Sequence, residues 1–314
     1  MTKIKCIFFV ATKTRSLTWV FHTSCSCEMN IFVFCDDIMI VITDRPGQMA
    51  NLLFVYANFL AYGIEKKVSI YNPAFYSYRD YFTLATRPIL PVNQWAYKNC
   101  ERIIYRLLSL GVNNKLIGSK KISLEEHTDL EDQTVFRPSL IFFVAGWPFR
   151  SNRLVLIHQE KIRAFFRPRP SFQNQINEFF QTNFPNKEEL KIGIHIRRGD
   201  YKDFLNGKYF YSVSQYEEII ERLLALFPSM TIHFLIASPE NLDHSHFTNK
   251  NLRLSFAPGH QLLDLYCLAR CNFIVGPPST YSMWASFFGK VPLYKIEDIN
   301  ESFGLSDFSV QEIL

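Results

Sequence analysis

The chain has 314 residues, enough for two cores of ordinary size at roughly 150 residues per domain. With 48% hydrophobic, 16% aromatic and 20% charged residues it is a folded globular protein, which excludes a disordered tail and a coiled coil. Lys and Arg total 34 against 29 Asp and Glu, a net charge of +5 that suits an anionic ligand; the basic residues are dispersed, not gathered into the stripe of a nucleic-acid binder, so no nucleic-acid partner is expected.

Residues 1–37 read differently from the rest. Ile7–Val10 and Ile31–Phe34 are apolar, but Lys, Arg, His, Glu and Asn break the stretch between them. No run approaches the ~18 to 20 apolar residues that span a bilayer, and no small-residue cleavage site follows the first block, so membrane association is not evident. Four of the seven cysteines lie in the first 35 residues. Cys25-Ser-Cys27 has no second Cys/His pair at ligand spacing, which favours reduced thiols over a metal site or a disulfide framework. Residues 1–37 are therefore expected to be a poorly structured extension.

From Met39 onward strands and helices alternate. Ile38–Thr43 reads as a buried strand, Asp44–Gly47 as a turn, Gln48–Lys66 as an apolar-periodic helix and Val68–Tyr71 as a second strand. Lys98–Leu110 suggests a helix, Leu140–Ala145 a strand, and Leu154–Phe165 and Pro170–Phe180 two more helices. Asn183–Glu189 is polar and broken by proline, as in a linker. The alternation restarts with strand Leu190–Ile196, helix Ser214–Phe227, strand Met230–Ala237, helix Gln261–Ala269, strand Asn272–Val275, helix Thr280–Phe288 and strand Val291–Tyr294. Short apolar strands separated by helices predict an α/β protein with a mostly parallel sheet in each half. Residues 38–185 and 186–314 are expected to be its two lobes. Ligands of such sheets bind beyond the carboxyl ends of the strands.

Three features carry candidate chemistry. At the end of the strand opening the second half stands Ile194-His195-Ile196-Arg197-Arg198-Gly199-Asp200-Tyr201. Adjacent guanidiniums are costly unless an anion or carboxylates lie between them, and arginine's rigid fork matches phosphate oxygens. Asp200 can fix one fork, and His195 can donate to a phosphate; a surface turn closed by an Arg–Asp200 ion pair is the structural alternative. Second, Gly276-Pro-Pro-Ser279-Thr280 leads from a strand into a helix. Ser279 or Thr280 can cap that helix, whose N-terminus offers N–H groups and partial positive charge to a phosphate; an ordinary cap is the alternative. Third, Gly47-Gln-Met-Ala-Asn51 joins the first strand to the first helix without being a dinucleotide fingerprint or a P-loop.

Together these features resemble the α-1,2-fucosyltransferase family, glycosyltransferase family 11, within the GDP-fucose transferase superfamily. His195 to Tyr201 matches its His-x-Arg-Arg-Gly-Asp-Tyr signature without a gap. Asp264 to Gly289 is similar to its downstream segment, and Gly47 to Phe54 to its opening Gly-x-x-x-Asn-x-x-Phe. Gly146-Trp147 with Glu160–Phe166 resembles its Gly-Trp … Ile-Arg-x-x-Phe block. The likeness runs from about residue 39 to 296. Gly276-Pro-Pro-Ser279 departs from the usual Asn-Ser-Ser/Thr turn, Met283 from an aromatic residue and Ala50 from a second glycine.

The resemblance implies a GT-B arrangement of two Rossmann-like lobes with an interlobe cleft. It implies inverting transfer of L-fucose from GDP-β-L-fucose to a galactoside-type glycan with terminal galactose as the expected acceptor, with no metal or cofactor. Arg197 would contact the β-phosphate, Arg198 and His195 would position the diphosphate, and Asp200 would orient the arginines. Gly47, Ser279 and Thr280 would complete the donor site. Asn51 would face the acceptor hydroxyl, which it can orient but not deprotonate. The aromatic stretch Asn72–Tyr78 and Trp95 are candidates for acceptor selection. No Asp-x-Asp follows a strand as in a metal-dependent transferase: Asp36-Asp37 and Asp129–Asp132 lie elsewhere, and His244-Ser-His246 lacks a third ligand at spacing. A transferase for another nucleotide sugar, or a nucleotide- or glycan-binding relative without turnover, stays open. The compartment is also open: cytoplasm for a bacterial- or virus-like protein, Golgi membrane or lumen for an animal-like one.

Overall fold

The structure is a computed structural model that describes residues 8–11, 17–20, 33–34, 38–83, 117–123, 126–132, 134–136, 139–240, 242, 247 and 252–313. The expected helix at Lys98–Leu110, Trp95, Asp36-Asp37, Cys25-Ser-Cys27 and His244-Ser-His246 lie outside the described residues. Within the first 37 residues three short antiparallel strands are described: β1 (Phe8–Ala11), β2 (Leu17–Val20) and β3 (Val33–Phe34).

The first sheet has the order β5-β4-β8-β6, with β4 at Met39–Ile42, β5 at Ser69–Tyr71, β6 at Ile117–Lys121 and β8 at Ile141–Ala145, all parallel. A small parallel pair, β7 (Thr128–Asp129) with β9 (Phe149–Arg150), lies beside it. Helix α1 (Met49–Lys66) crosses from β4 to β5. It is buried nearly all round, from Leu52 to Phe59, because helix α2 (Asn152–Phe165) and β9 pack on it and its apolar residues share one cluster with Ile40, Ile42, Phe142 and Val144 of β4 and β8. It ends on Lys67 in the left-handed conformation, whose N–H bonds the Gly63 carbonyl.

The second sheet has the order β12-β11-β10-β13-β14-β15. Its parallel strands are β10 (Leu190–His195), β11 (Ile232–Ala237), β12 (Arg253–Phe256), β13 (Phe273–Gly276) and β14 (Pro292–Lys295); β15 (Ser309–Val310) closes one edge antiparallel. Helices α3 (Pro170–Asn183), α4 (Val213–Leu226), α5 (Gln261–Leu268) and α6 (Thr280–Gly289) cover it. The mixed α/β architecture with mostly parallel sheets is the one expected. The segment read as a polar linker instead holds buried groups: Phe184 is 4% exposed, and Glu189 pairs with Arg253 and with His233 Nδ1 at 3.2 Å. A buried carboxylate is tolerated because each oxygen has a cationic or N–H partner.

One apolar cluster joins the two sheets: Phe54 and Phe59 of α1, Phe166, Leu262 and Leu265 of α5, and Trp284 of α6 all belong to it. A second cluster, Ile192, Ile194, Ile196, Tyr216, Ile220 and Phe234, lies on the other face of the second sheet. Among the described residues no helix is long and apolar enough to cross a membrane.

Candidate active site

In the first sheet the chain runs from β4 to β5 on one side and later adds β8 on the other, so the direction of winding reverses between β4 and β8. In the second sheet it reverses between β10 and β13. Loops after neighbouring strands diverge at such points and leave a crevice. Both crevices open into one cavity of about 830 Å³, within the usual range for a small-molecule site. Its lining includes Gly47 to Asn51 after β4 and Trp147 after β8. It also includes His195, Arg197, Asp200 and Tyr201 after β10, Ser238 after β11, and Pro278 to Tyr281 after β13.

Gly47 takes φ +71°, and a Cβ there would collide with the Asn51 amide, so the turn and the placement of Asn51 depend on glycine. Asn51, in the first turn of α1, accepts a 2.5 Å hydrogen bond on Oδ1 from Thr280 Oγ1, linking α1 to the start of α6 across the cavity. Ser279 caps α6: its Oγ accepts from the Tyr281 N–H at 3.2 Å. Gly276, before the double proline, lies so close to His195 that a Cβ would sit 2.9 Å from its Cβ and carbonyl oxygen, so β10 and β13 can approach at the site only through glycine.

Arg197 gives the cavity its fixed cation. Its Nε and Nη2 donate to the two Asp200 oxygens at 2.8 Å each, a bidentate pair in which the Arg197 side chain is 16% exposed. Among the described residues these bonds use two of its five N–H groups, leaving three. Tyr201 lies 5.6 Å beneath the guanidinium and donates its hydroxyl to the Pro278 carbonyl at 2.6 Å, tying the arginine turn to the approach to α6. The Gly199 N–H donates to Glu240, which fixes the turn from the β11 side. His195 is 2% exposed, and its ring packs on Tyr281 at 5.0 Å. Burial, with Arg197 adding to it, pushes its pKa down to about 3, so the imidazole is neutral and offers one N–H. Its Nδ1 has no hydrogen-bond partner among the described residues.

Arg198 departs from expectation. It does not line the cavity; its guanidinium lies over the Phe210 ring at 5.2 Å and its Nε is buried without a hydrogen-bond partner among the described residues. One arginine of the pair faces the cavity, not both. The aromatic stretch Asn72–Tyr78 forms a 3-10 helix, Pro73–Tyr81, in which Ala74 and Phe75 are core residues; none of the stretch lines the cavity. Arg163, from the Ile-Arg-x-x-Phe block, pins α2 to α6: its Nε donates to the Phe287 carbonyl at 2.8 Å.

Asp264 lines the cavity as well, although its residue type and place in a helix's first turn do not mark it as a site residue. It is 5% exposed; Oδ1 accepts from the Gly259 N–H at 3.0 Å and the His260 N–H at 3.3 Å. Burial pushes its pKa up to about 6 despite those two bonds. The cavity is thus ordered. Ser238, Gly259, Asp264 and Arg197 come from loops of the second sheet, the start of α6 touches both the Asp264 helix, through Tyr281 and Gln261, and Asn51, through Thr280, and Asn51 and Trp147 come from the first sheet.

No curated protein matches the chain. Among solved structures, a mutant of Arabidopsis thaliana FUT1 in complex with GDP aligns at TM-score 0.57 and 11% identity, covering 87% of this chain and 73% of that one. The fucosyltransferase NodZ from Bradyrhizobium aligns at 0.54 and 14% identity over 83% and 96% of the two chains. NodZ alpha-1,6-fucosyltransferase soaked with GDP-fucose aligns at 0.51 and 16% identity over 87% and 97%. At these identities the likeness shows the fold, which is the GT-B arrangement of fucosyltransferases. The family profile for glycosyl transferase family 11 matches residues 137–300, from the segment before β8 to beyond β14 and so through every loop of the second sheet that lines the cavity; the chain belongs to glycosyl transferase family 11.

Proposed function

We propose that the protein transfers L-fucose from GDP-β-L-fucose to a hydroxyl of a galactoside-type glycan, with inversion and without a metal. In this reading residues 38–185 form the acceptor-side lobe, residues 186–314 the donor lobe, and residues 1–37 an extension. The observation that carries it is the Arg197–Asp200 fork beside the capped N-terminus of α6, at the carboxyl ends of the strands where the second sheet reverses. That pairing supplies fixed positive charge where a diphosphate leaving group gains negative charge.

The order of groups along the cavity supports a nucleotide sugar laid from the second sheet toward the first. Asp264 presents a carboxylate to the base. Guanine's adjacent N1–H and N2–H donors suit it, whereas uracil has a single N–H flanked by carbonyls, so guanine nucleotides should bind in preference. Arg197, neutral His195 and the α6 N-terminus receive the diphosphate. Its three unused N–H groups leave Arg197 able to hold a phosphate without releasing Asp200. The sugar then faces Asn51 and Trp147. Asn51 orients the acceptor hydroxyl and takes no proton; Asp200 is chelated by Arg197 and Asp264 belongs to the base end. The reading therefore favours a loose, oxocarbenium-like transition state in which leaving-group stabilisation does most of the catalysis.

The test is a donor panel (GDP-fucose, GDP-mannose, UDP-galactose) against simple galactosides, with and without EDTA, reading sugar transfer and nucleotide release. Fucose transfer from GDP-fucose that survives EDTA is expected. Transfer from another donor would replace the substrate assignment, and GDP binding without transfer to any acceptor would favour a binding protein.

A further inference from the structure

The segment after the arginine turn has a feature that donor binding does not account for. Phe204 is 48% exposed and Leu205 58%, although both follow a well-packed tyrosine. The backbone from Leu205 on is strained: Leu205 at φ 49° and Asn206 at φ 57° are left-handed, and Gly207 at φ 75° completes three such residues in a row. A branched side chain is disfavoured in that conformation, and such strain is characteristic of functional loops. Immediately before these residues, Phe204 keeps a large apolar ring half in solvent at the edge of the cavity, which it lines.

The ring is not loose. It packs against Tyr201 with centroids 5.3 Å apart and planes 35° from parallel, and Tyr201 lies in turn beneath the Arg197 guanidinium. Three flat groups therefore run outward from the cation that would hold the β-phosphate. Tyr201 is bonded to Pro278, two residues before Thr280, which bonds Asn51. This chain of contacts ends on Asn51, which the reading above places at the sugar. Trp147, stacked on Phe54 at 6.2 Å, adds an aromatic face from the first sheet.

We infer that Phe204 is an acceptor-binding residue: its exposed face stacks on the C–H face of a neutral hexopyranose beside the transferred sugar. Galactose-type rings, with C3, C4 and C5 hydrogens on one side, present such a face; charged or strongly branched acceptors do not. The inference rests on the donor-site reading above, and the two fail separately.

The experiment compares wild type with Phe204→Ala and Phe204→Trp, measuring GDP affinity by calorimetry, GDP-fucose hydrolysis without acceptor, and KM for a β-galactoside. Phe204→Ala should raise the acceptor KM about tenfold, leave GDP affinity and acceptor-free hydrolysis within twofold, and be rescued by Phe204→Trp. An unchanged acceptor KM overturns the inference. So does a loss of GDP affinity in Phe204→Ala, which would put the ring against the nucleotide. Wild-type protein that binds no GDP would instead overturn the donor site.

Discussion

Asp264 ties stability and binding to one titration, and Asp264→Asn separates them. The side chain is 5% exposed with a pKa near 6, against about 3.9 for an unfolded aspartate. The folded protein therefore holds this proton more tightly than the unfolded chain. The stability that follows is fully present below pH 4 and is lost as pH rises through 6. At pH 8 the difference amounts to about 3 kcal/mol, at 1.36 kcal/mol per decade of proton affinity. Asparagine keeps an acceptor for the Gly259 and His260 N–H groups without the buried charge. It should therefore be more stable than wild type at pH 8 by about 3 kcal/mol, or about 4 to 5 °C in Tm for a chain of this length, and equal to it near pH 4. Other carboxylates titrate in both proteins, so the difference between the two melting curves isolates this one.

The same substitution should weaken GDP by about 10- to 100-fold at pH 8, since it removes a charged acceptor from the base site. A terminal phosphate titrates near pH 6 too, but it is common to both proteins. The wild-type advantage in GDP affinity should grow from pH 5 to 7 and then level off. A stability difference that stays flat from pH 4 to 8, or an Asp264→Asn protein less stable at pH 8, refutes the electrostatic argument. An unchanged GDP affinity removes Asp264 from the base site.

At Arg197, lysine keeps the charge but loses the fork to both Asp200 oxygens, so Arg197→Lys should be nearly as damaging as Arg197→Ala. Both should lower kcat about 10²- to 10³-fold, and near-normal turnover by the lysine variant would exclude the assignment. Thr280→Val removes the hydroxyl that bonds Asn51 and should cost about 1 kcal/mol in urea unfolding while raising KM for GDP-fucose severalfold. Unchanged values for both would mean that the contact neither braces the cavity nor serves the diphosphate.

Much of this fold is legible because parallel strands buried on both faces read as apolar runs: Ile40–Ile42, Phe142–Ala145 and Ile232–Ala237 are such runs, and all are buried. Polar edge strands carry no such mark. Ile117-Gly-Ser-Lys-Lys121 is a strand through its backbone pairing with β8, and its lysines suit an edge facing water. Arg253–Phe256 and Ser309–Val310 escape for the same reason. Helix α4 starts at Val213, one residue before the expected Ser214, because Ser212 and Gln215 form a reciprocal capping box; that Ser-x-x-Gln spacing stands in the sequence. Asp264 is the site residue that residue types alone leave hidden, since an acid in the first turn of a helix ordinarily reads as a favourable dipole contact.

The two arginines show how strand geometry sorts a motif that composition treats as one unit. Side chains alternate along an extended backbone, so residues two apart share a face and neighbours do not. His195 and Arg197 line the cavity, whereas Ile194 and Ile196 belong to the opposite cluster with Tyr216. Arg198 continues the second series, over Phe210, on the side away from the cavity. Adjacent guanidiniums at this strand end therefore do not share one anion, and substitution should separate them. Arg198→Lys, which gives up the planar stacking on Phe210 but keeps charge, should reduce stability by about 1 kcal/mol and leave GDP affinity within about threefold. Arg197→Lys should do the reverse, with near-wild-type melting and a large loss of turnover. If both lysine variants lost GDP affinity equally, alternation would not govern the turn, and Arg198 would have to swing from Phe210 into the cavity when the diphosphate arrives.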